Sequence, residues 1–158
     1  MGNFLNVQIC ENGHIISPDI EMYSFHFCPQ CGTKTFSSCP SCGEPIFGKY
    51  FEYDVLFTPE FPDQVPFYCH NCGKPYPWTQ KIIDNAIEIL ALDEDLDSDT
   101  KSIIKNAIPN LLVDTPETPV SITKFRSAMS KAGEIVQNSM CQLLSDVIVK
   151  SAKGVFFS

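Results

Sequence analysis

No run of roughly eighteen apolar residues occurs in the 158-residue chain, so no membrane-spanning helix is expected. The opening MGNFLNVQIC lacks a basic segment followed by an apolar one, the mark of a secretory leader. NFLN, after Gly2, lacks the Ser or Thr of a myristoylation signal. A cytoplasmic protein is the expectation. Basic residues are scarce as well, with 11 Lys and Arg against 19 Asp and Glu, a formal net charge of −8. Residues 1–78 carry only Lys34, Lys49 and Lys74 against eight acids. Such a surface repels phosphate backbones and argues against nucleic-acid binding. A basic, amphipathic membrane contact is disfavoured too, although residues 119–158 are locally basic at net +3.

Histidines number three, and they form no His-Glu-x-x-His motif. The deaminase pattern of His-x-Glu with Pro-Cys-x-x-Cys does not occur, and neither does a phosphate-cradling loop or a nucleophile–base set. The chain therefore reads as a non-enzyme. What it has instead is cysteine: eight, of which six form three Cys-x-x-Cys-Gly units, Cys28/Cys31, Cys39/Cys42 and Cys69/Cys72. That is metal-ligand spacing rather than a disulfide framework, and in a reducing compartment such thiols stay free. The tight turn brings two thiolates to one side, and the following glycine permits the positive φ that the turn requires.

Each turn supplies two ligands, and a closed tetrahedral site takes four, so three turns leave one half-site over. Cys10 and His14, with Gly13 between them, supply the fourth. Eight ligands then match two structural Zn²⁺ ions per chain. Two pairings are open. In the sequential one, Cys10, His14, Cys28 and Cys31 hold one ion, and Cys39, Cys42, Cys69 and Cys72 the other. In the nested one, the two inner turns join and the two outer turns join. Only seven residues separate Cys31 from Cys39, a cramped connection for the nested form, so the sequential form is favoured. His26 and His70 are rival nitrogen ligands of lower rank, and Cys141 reads as a packed thiol.

All histidines and seven of the cysteines precede residue 73, and helical periodicity follows. The expected fold class is small α+β: a zinc-ribbon head over residues 1–78 and a helical region over 79–158. In the head, Phe51, Tyr53, Val55 and Phe57 alternate as in a strand. In the tail, helices are expected over about 80–92, 100–107 and 119–153. Thr79 is the expected N-cap of the first and Thr118 that of the last. DEDLDSD, residues 93–99, reads as a solvated linker that caps the next helix. The long last helix carries Ile122, Phe125, Met129, Ala132, Val136, Met140 and Leu143, a seam suited to core packing or to self-association. Phe67, Tyr68, Tyr76 and Trp78 read as a joint between head and tail, with a peptide-binding face as the alternative.

The serial Cys-x-x-Cys-Gly turns resemble the double zinc ribbon of many bacterial proteins. More closely, CENGH, FCPQCGTKT, CPSCGEPI, FYCHNCGKPYPWT and DTPETPV resemble a family of small bacterial proteins of unknown function. That resemblance implies zinc at the eight ligands and a helical tail, and no activity. The expected function is a zinc-binding interaction or scaffold module, with the tail mediating self-association, as a homo-oligomer, or docking a protein partner. The alternatives are a nucleic-acid-binding zinc ribbon and a regulator or effector of a bacterial stress or phage-defence system.

Overall fold

The structure, a computed structural model, describes residues 2–52 and 59–154. It is a small α+β arrangement of two compact units, Met1–Lys81 and Ile82–Ser158, and the division between them falls within a helix.

The strands of the first unit are short because cysteine turns interrupt them every few residues. They are β1 (Gly2–Asn6), β2 (Gln8–Cys10), β3 (Ile15–Ser17), β4 (Thr35–Phe36) and β5 (Phe47–Glu52). β1 pairs antiparallel with β5, Phe4 opposite Tyr50, and β2 lies between β3 and β4. Of the strand expected over 51–57, Phe51 and Glu52 end β5, while 53–58 lie outside the described residues. Among the described residues, the main buried cluster of this unit is Val7, Ile9, Ile46, Tyr76 and Trp78, together with Cys39 and Cys69, and Ile16 packs separately with Cys10 and Cys28. Tyr76 and Trp78 are thus core residues of the N-terminal unit, stacked with ring centroids 4.9 Å apart. The indole N–H of Trp78 donates to the Pro66 carbonyl at 2.7 Å. Cysteines thus share each buried cluster with the apolar side chains, and units of this size commonly rely on cross-links.

Helix α1 spans Pro77–Ala91 and so starts before Thr79. Proline at its start has no N–H to leave unpaired. Thr79 is not its N-cap: it is fully buried, and its hydroxyl donates to the Phe67 carbonyl at 2.6 Å.

The second unit takes up α1 from Ile82 onward and adds α2 (Ser98–Ala107), α3 (Pro109–Leu112), α4 (Thr118–Met129), α5 (Glu134–Leu144) and a 3₁₀ turn at Lys150–Ala152. Ile104, Ile108, Leu111, Leu112, Phe125, Met140 and Leu144 form the centre of its core, each at most 1% exposed. Asp97 caps α2 by accepting the Thr100 N–H at 2.6 Å. Thr118 lies within the first turn of α4 rather than before it. Its hydroxyl accepts the Thr115 N–H at 2.9 Å and donates to the Asn110 carbonyl at 2.8 Å.

The single long helix expected over 119–153 is two helices. α4 stops at Met129, and Gly133, in extended conformation, starts α5. The break is built from side chains. Gln137 donates from its amide nitrogen to the Met129 and Ala132 carbonyls, at 3.0 and 2.9 Å, and so pins the connecting turn to α5. Asp93 accepts the Gly133 N–H at 2.8 Å. Its other oxygen accepts the N–H groups of Asp95 and Leu96, at 3.0 and 3.2 Å. The acidic linker is therefore only partly solvated: Asp93 is buried and ties the α1–α2 turn to the start of α5. The expected seam is occupied internally, with Phe125, Met129, Ala132, Val136 and Met140 buried in this unit's own core. A continuous self-association seam along 119–153 is lost with the long helix.

Candidate metal centres

Four turns present the ligands, and three are copies of one design. In each, the first cysteine's N–H bonds the carbonyl five residues on: Cys28 to Thr33, Cys39 to Glu44 and Cys69 to Lys74, at 2.8–2.9 Å. The glycine N–H returns to the first cysteine's carbonyl, in Gly32 to Cys28, Gly43 to Cys39 and Gly73 to Cys69, at 2.8–2.9 Å. These glycines have φ of 75°, 81° and 74°. An antiparallel bridge closes each base, Phe27 to Lys34, Ser38 to Pro45 and Tyr68 to Pro75.

The fourth turn is the same design one residue shorter. Cys10 N–H bonds the His14 carbonyl and Gly13 N–H bonds the Cys10 carbonyl, both at 2.9 Å. Gly13 has φ 89°, and a Cβ there would lie 3.2 Å from the Cβ of Trp78. The positive φ favours glycine, and a Cβ would also crowd Trp78.

Folding brings the eight side chains into two sets, Cys10/His14/Cys28/Cys31 and Cys39/Cys42/Cys69/Cys72. This is the sequential grouping. Within each set the ligand atoms all lie within 4.8 Å of one another. In the first, the Cys10 and Cys31 sulfurs are 3.7 Å apart, and His14 Nδ1 is 3.5 Å from Cys10 Sγ and 3.6 Å from Cys28 Sγ. In the second, Cys39 to Cys72 is 3.7 Å and Cys42 to Cys69 is 3.6 Å. A tetrahedral ion with Zn–S near 2.3 Å and Zn–N near 2.0 Å sets edges of roughly 3.8 Å between sulfurs and roughly 3.6 Å from sulfur to nitrogen. The donor sets match that size, and each could hold one metal ion.

The sulfurs receive N–H donors from their own turns. Cys10 Sγ accepts from His14 N at 3.3 Å, Cys28 Sγ from Gln30 N at 3.3 Å and Cys69 Sγ from Asn71 N at 3.4 Å. The Thr33 hydroxyl, 3.1 Å from Cys31 Sγ, leads the interactions that bring that thiol down to about 5. Cys69 comes down to about 6, chiefly through the backbone N–H of Cys72. Burial pushes Cys10 the other way. Depressed thiols are ready as thiolates, the ligand form.

Two residues that the spacing argument passed over occupy matching places. Asn12, in the first turn, donates its amide to Cys31 Sγ across the set at 3.4 Å. Asn71, in the last turn, donates to Cys42 Sγ across the other set at 3.6 Å. Lys81 donates to Asn12 Oδ1 at 2.8 Å and so fixes which way that amide points. The available signal was an asparagine inside two ligand turns, in CENGH and CHNCG.

Gln8 completes the support. Its buried amide donates to the Phe25 carbonyl and the Thr35 hydroxyl and accepts the Phe25 N–H, each at 3.0 Å, holding the segment that leads into Cys28. Neither rival histidine joins a set. His70 stacks on Phe47 with centroids 4.0 Å apart and lies 3.7 Å from Glu44, while His26 is exposed. Cys141 is half-buried and lines a groove between α4 and α5 with Phe125, Met129 and Gln137.

The fold and the two sets define a small α+β protein with two candidate four-ligand metal centres. Residues 3–156 match a family described as uncharacterized protein conserved in bacteria (DUF2321), and the chain belongs to that family. No curated protein and no solved structure matches it. Among the described residues, no helix is long and apolar enough to cross a membrane.

Proposed function

We propose that the N-terminal unit is a double zinc ribbon whose two ions are structural, and that the protein is a non-enzymatic interaction module. The observation that carries this reading is the completeness of the two ligand sets. Each supplies four protein ligands at tetrahedral separations, so neither ion keeps a position for a reacting water. Thiolate-rich tetrahedral sets favour zinc among the common divalent ions. Binding of the two ions adds stability to a unit whose buried clusters include the ligand cysteines.

Interaction with protein rather than nucleic acid is favoured by what the N-terminal unit shows outward. Phe4, Phe25, Phe27, Phe47 and Tyr50 are all exposed. Of its few lysines, Lys49 pairs with Asp63 at 3.3 Å, and Lys34 lies 5.3 Å above the Phe36 ring. An acidic unit with exposed aromatic rings suits a protein partner.

A native mass spectrum of untagged protein tests the metal reading. Two zinc ions per chain are expected, with Cys10→Ser and Cys69→Ser each falling to one. One ion in the wild type, or two retained in both variants, would overturn it.

A further inference from the structure

The two ligand sets share their walls. β2 and β4 are paired, with Ile9 opposite Phe36 and Cys10 opposite Thr35. Successive side chains of a strand point to opposite faces, so each strand can serve both sets. On β2, Ile9 is fully buried in the cluster that holds Cys39 and Cys69, while the next residue, Cys10, is a ligand of the other set. On β4, Phe36 packs against the same cluster as Ile9. Thr35 serves the first set instead: its hydroxyl donates to the Phe25 carbonyl at 2.6 Å, in the segment that leads into Cys28. The backbone continues the link. Past the Cys39/Cys42 turn, Ile46 donates its N–H to the Ser37 carbonyl at 3.0 Å and accepts the Val7 N–H at 3.1 Å.

Trp78 makes a second link. It lies in the cluster with Cys39 and Cys69, and its N–H holds the Pro66 carbonyl, ahead of Cys69. Its Cβ also lies where it would crowd any side chain on Gly13, in the Cys10/His14 turn. Beside the first set, the buried cluster among the described residues adds one aliphatic side chain, Ile16, to Cys10 and Cys28. The first set thus leans on a cluster that the second set closes. Ordering a chain costs conformational entropy. An ion that orders β2, β4 and Trp78 for one set has ordered them for the other, so the second ion meets a smaller cost.

We propose that the two sets load cooperatively, as a pair, with the β2–β4 ladder and Trp78 as the elements that couple them. The coupling is reciprocal, so an ion in either set raises the affinity of the other. This rests on the metal-centre reading and adds to it the dependence of one set on its neighbour. The N-terminal unit then passes between a metal-free and a two-ion form, and the one-ion form is scarce.

The test starts from zinc-loaded full-length protein, kept reduced and equilibrated with a chelator until one zinc per chain remains on average. Native mass spectra count the chains with no ion, one and two. Independent sites, whatever their separate affinities, leave at least half the chains with one ion at that point. Coupling is expected to bring the one-ion form well below half. Trp78→Leu keeps every ligand and is expected to hold two ions at excess zinc, with the one-ion form rising to half or above. Gly13→Ala disturbs the same contact from the turn side and is expected to shift the distribution the same way. A one-ion form at half or above in wild type would overturn the coupling. Unchanged distributions in both variants would overturn the part assigned to Trp78. Fewer than two ions in wild type at excess zinc would overturn the metal-centre reading itself, so the two failures are distinguishable.

Discussion

Asn12 and Asn71 show how much of a ligand set lies outside its ligands. Each sits within one cysteine turn and donates to a sulfur of the opposite turn, so each spans the gap that the ion would bridge. A donor to a thiolate offsets part of its charge and fixes the sulfur's direction. Asn12→Ala and Asn71→Ala are therefore expected to keep two zinc ions per chain but to lower affinity at the affected set by about tenfold. Competition with a chromogenic chelator measures this, and unchanged affinity in both variants would make the contacts incidental. The cysteines themselves were legible because their turn is local: Cys, Cys and Gly at fixed spacing leave few other conformations. The asparagines were not, because their partners lie 19 and 29 residues away.

At the scale of elements, Asp93 decides most. It holds one N–H at the start of α5 and two in its own turn. These bonds, that of Gly133 first, keep its carboxyl below the usual carboxylate value. A depressed carboxylate stabilises the fold fully above its unfolded pKa of about 3.9, and the contribution disappears as pH falls through the folded value. Asp97 acts in the same sense through Thr100. Asp93→Asn is accordingly expected to melt several degrees lower than wild type at pH 7, with the gap narrowing as pH falls below the unfolded value and through the folded one, read by circular dichroism at 222 nm. Equal melting at pH 7 would show that the carboxylate does not hold the α4–α5 break. From sequence, the seam from Ile122 to Leu143 made one helix the natural reading. Its periodicity continues across Ser130–Gly133 because both helices face the same core, so the pattern carries no mark of the interruption. Gly133 was the local sign, but glycine inside an apolar period is ambiguous until a partner for its N–H is known.

For the whole molecule, the two units rest on different forces. The helical unit has a continuous apolar core, while the N-terminal unit shares its buried clusters with two ligand sets. Chelation is expected to unfold the first unit, Met1–Lys81, and spare the helical one. Trp78, the one tryptophan, is buried in the N-terminal core, so its emission should shift to the red while most of the signal at 222 nm persists. Parallel loss of both signals would show that the helical unit does not fold independently of the metal.

The sequence by itself determined the number of ligand turns, their glycines, the closure of the count at eight and the acidity of the chain. These follow from short-range geometry and from composition. Only the tertiary structure decided which turns meet, since a Cys-x-x-Cys-Gly turn can join any other that the intervening chain brings within reach. It likewise decided that Trp78 belongs to the N-terminal core, that Asp93 is buried and that the last apolar seam bends into two helices. Each of those outcomes depends on a partner far away in the chain, and a residue's local pattern does not encode the identity of a distant partner.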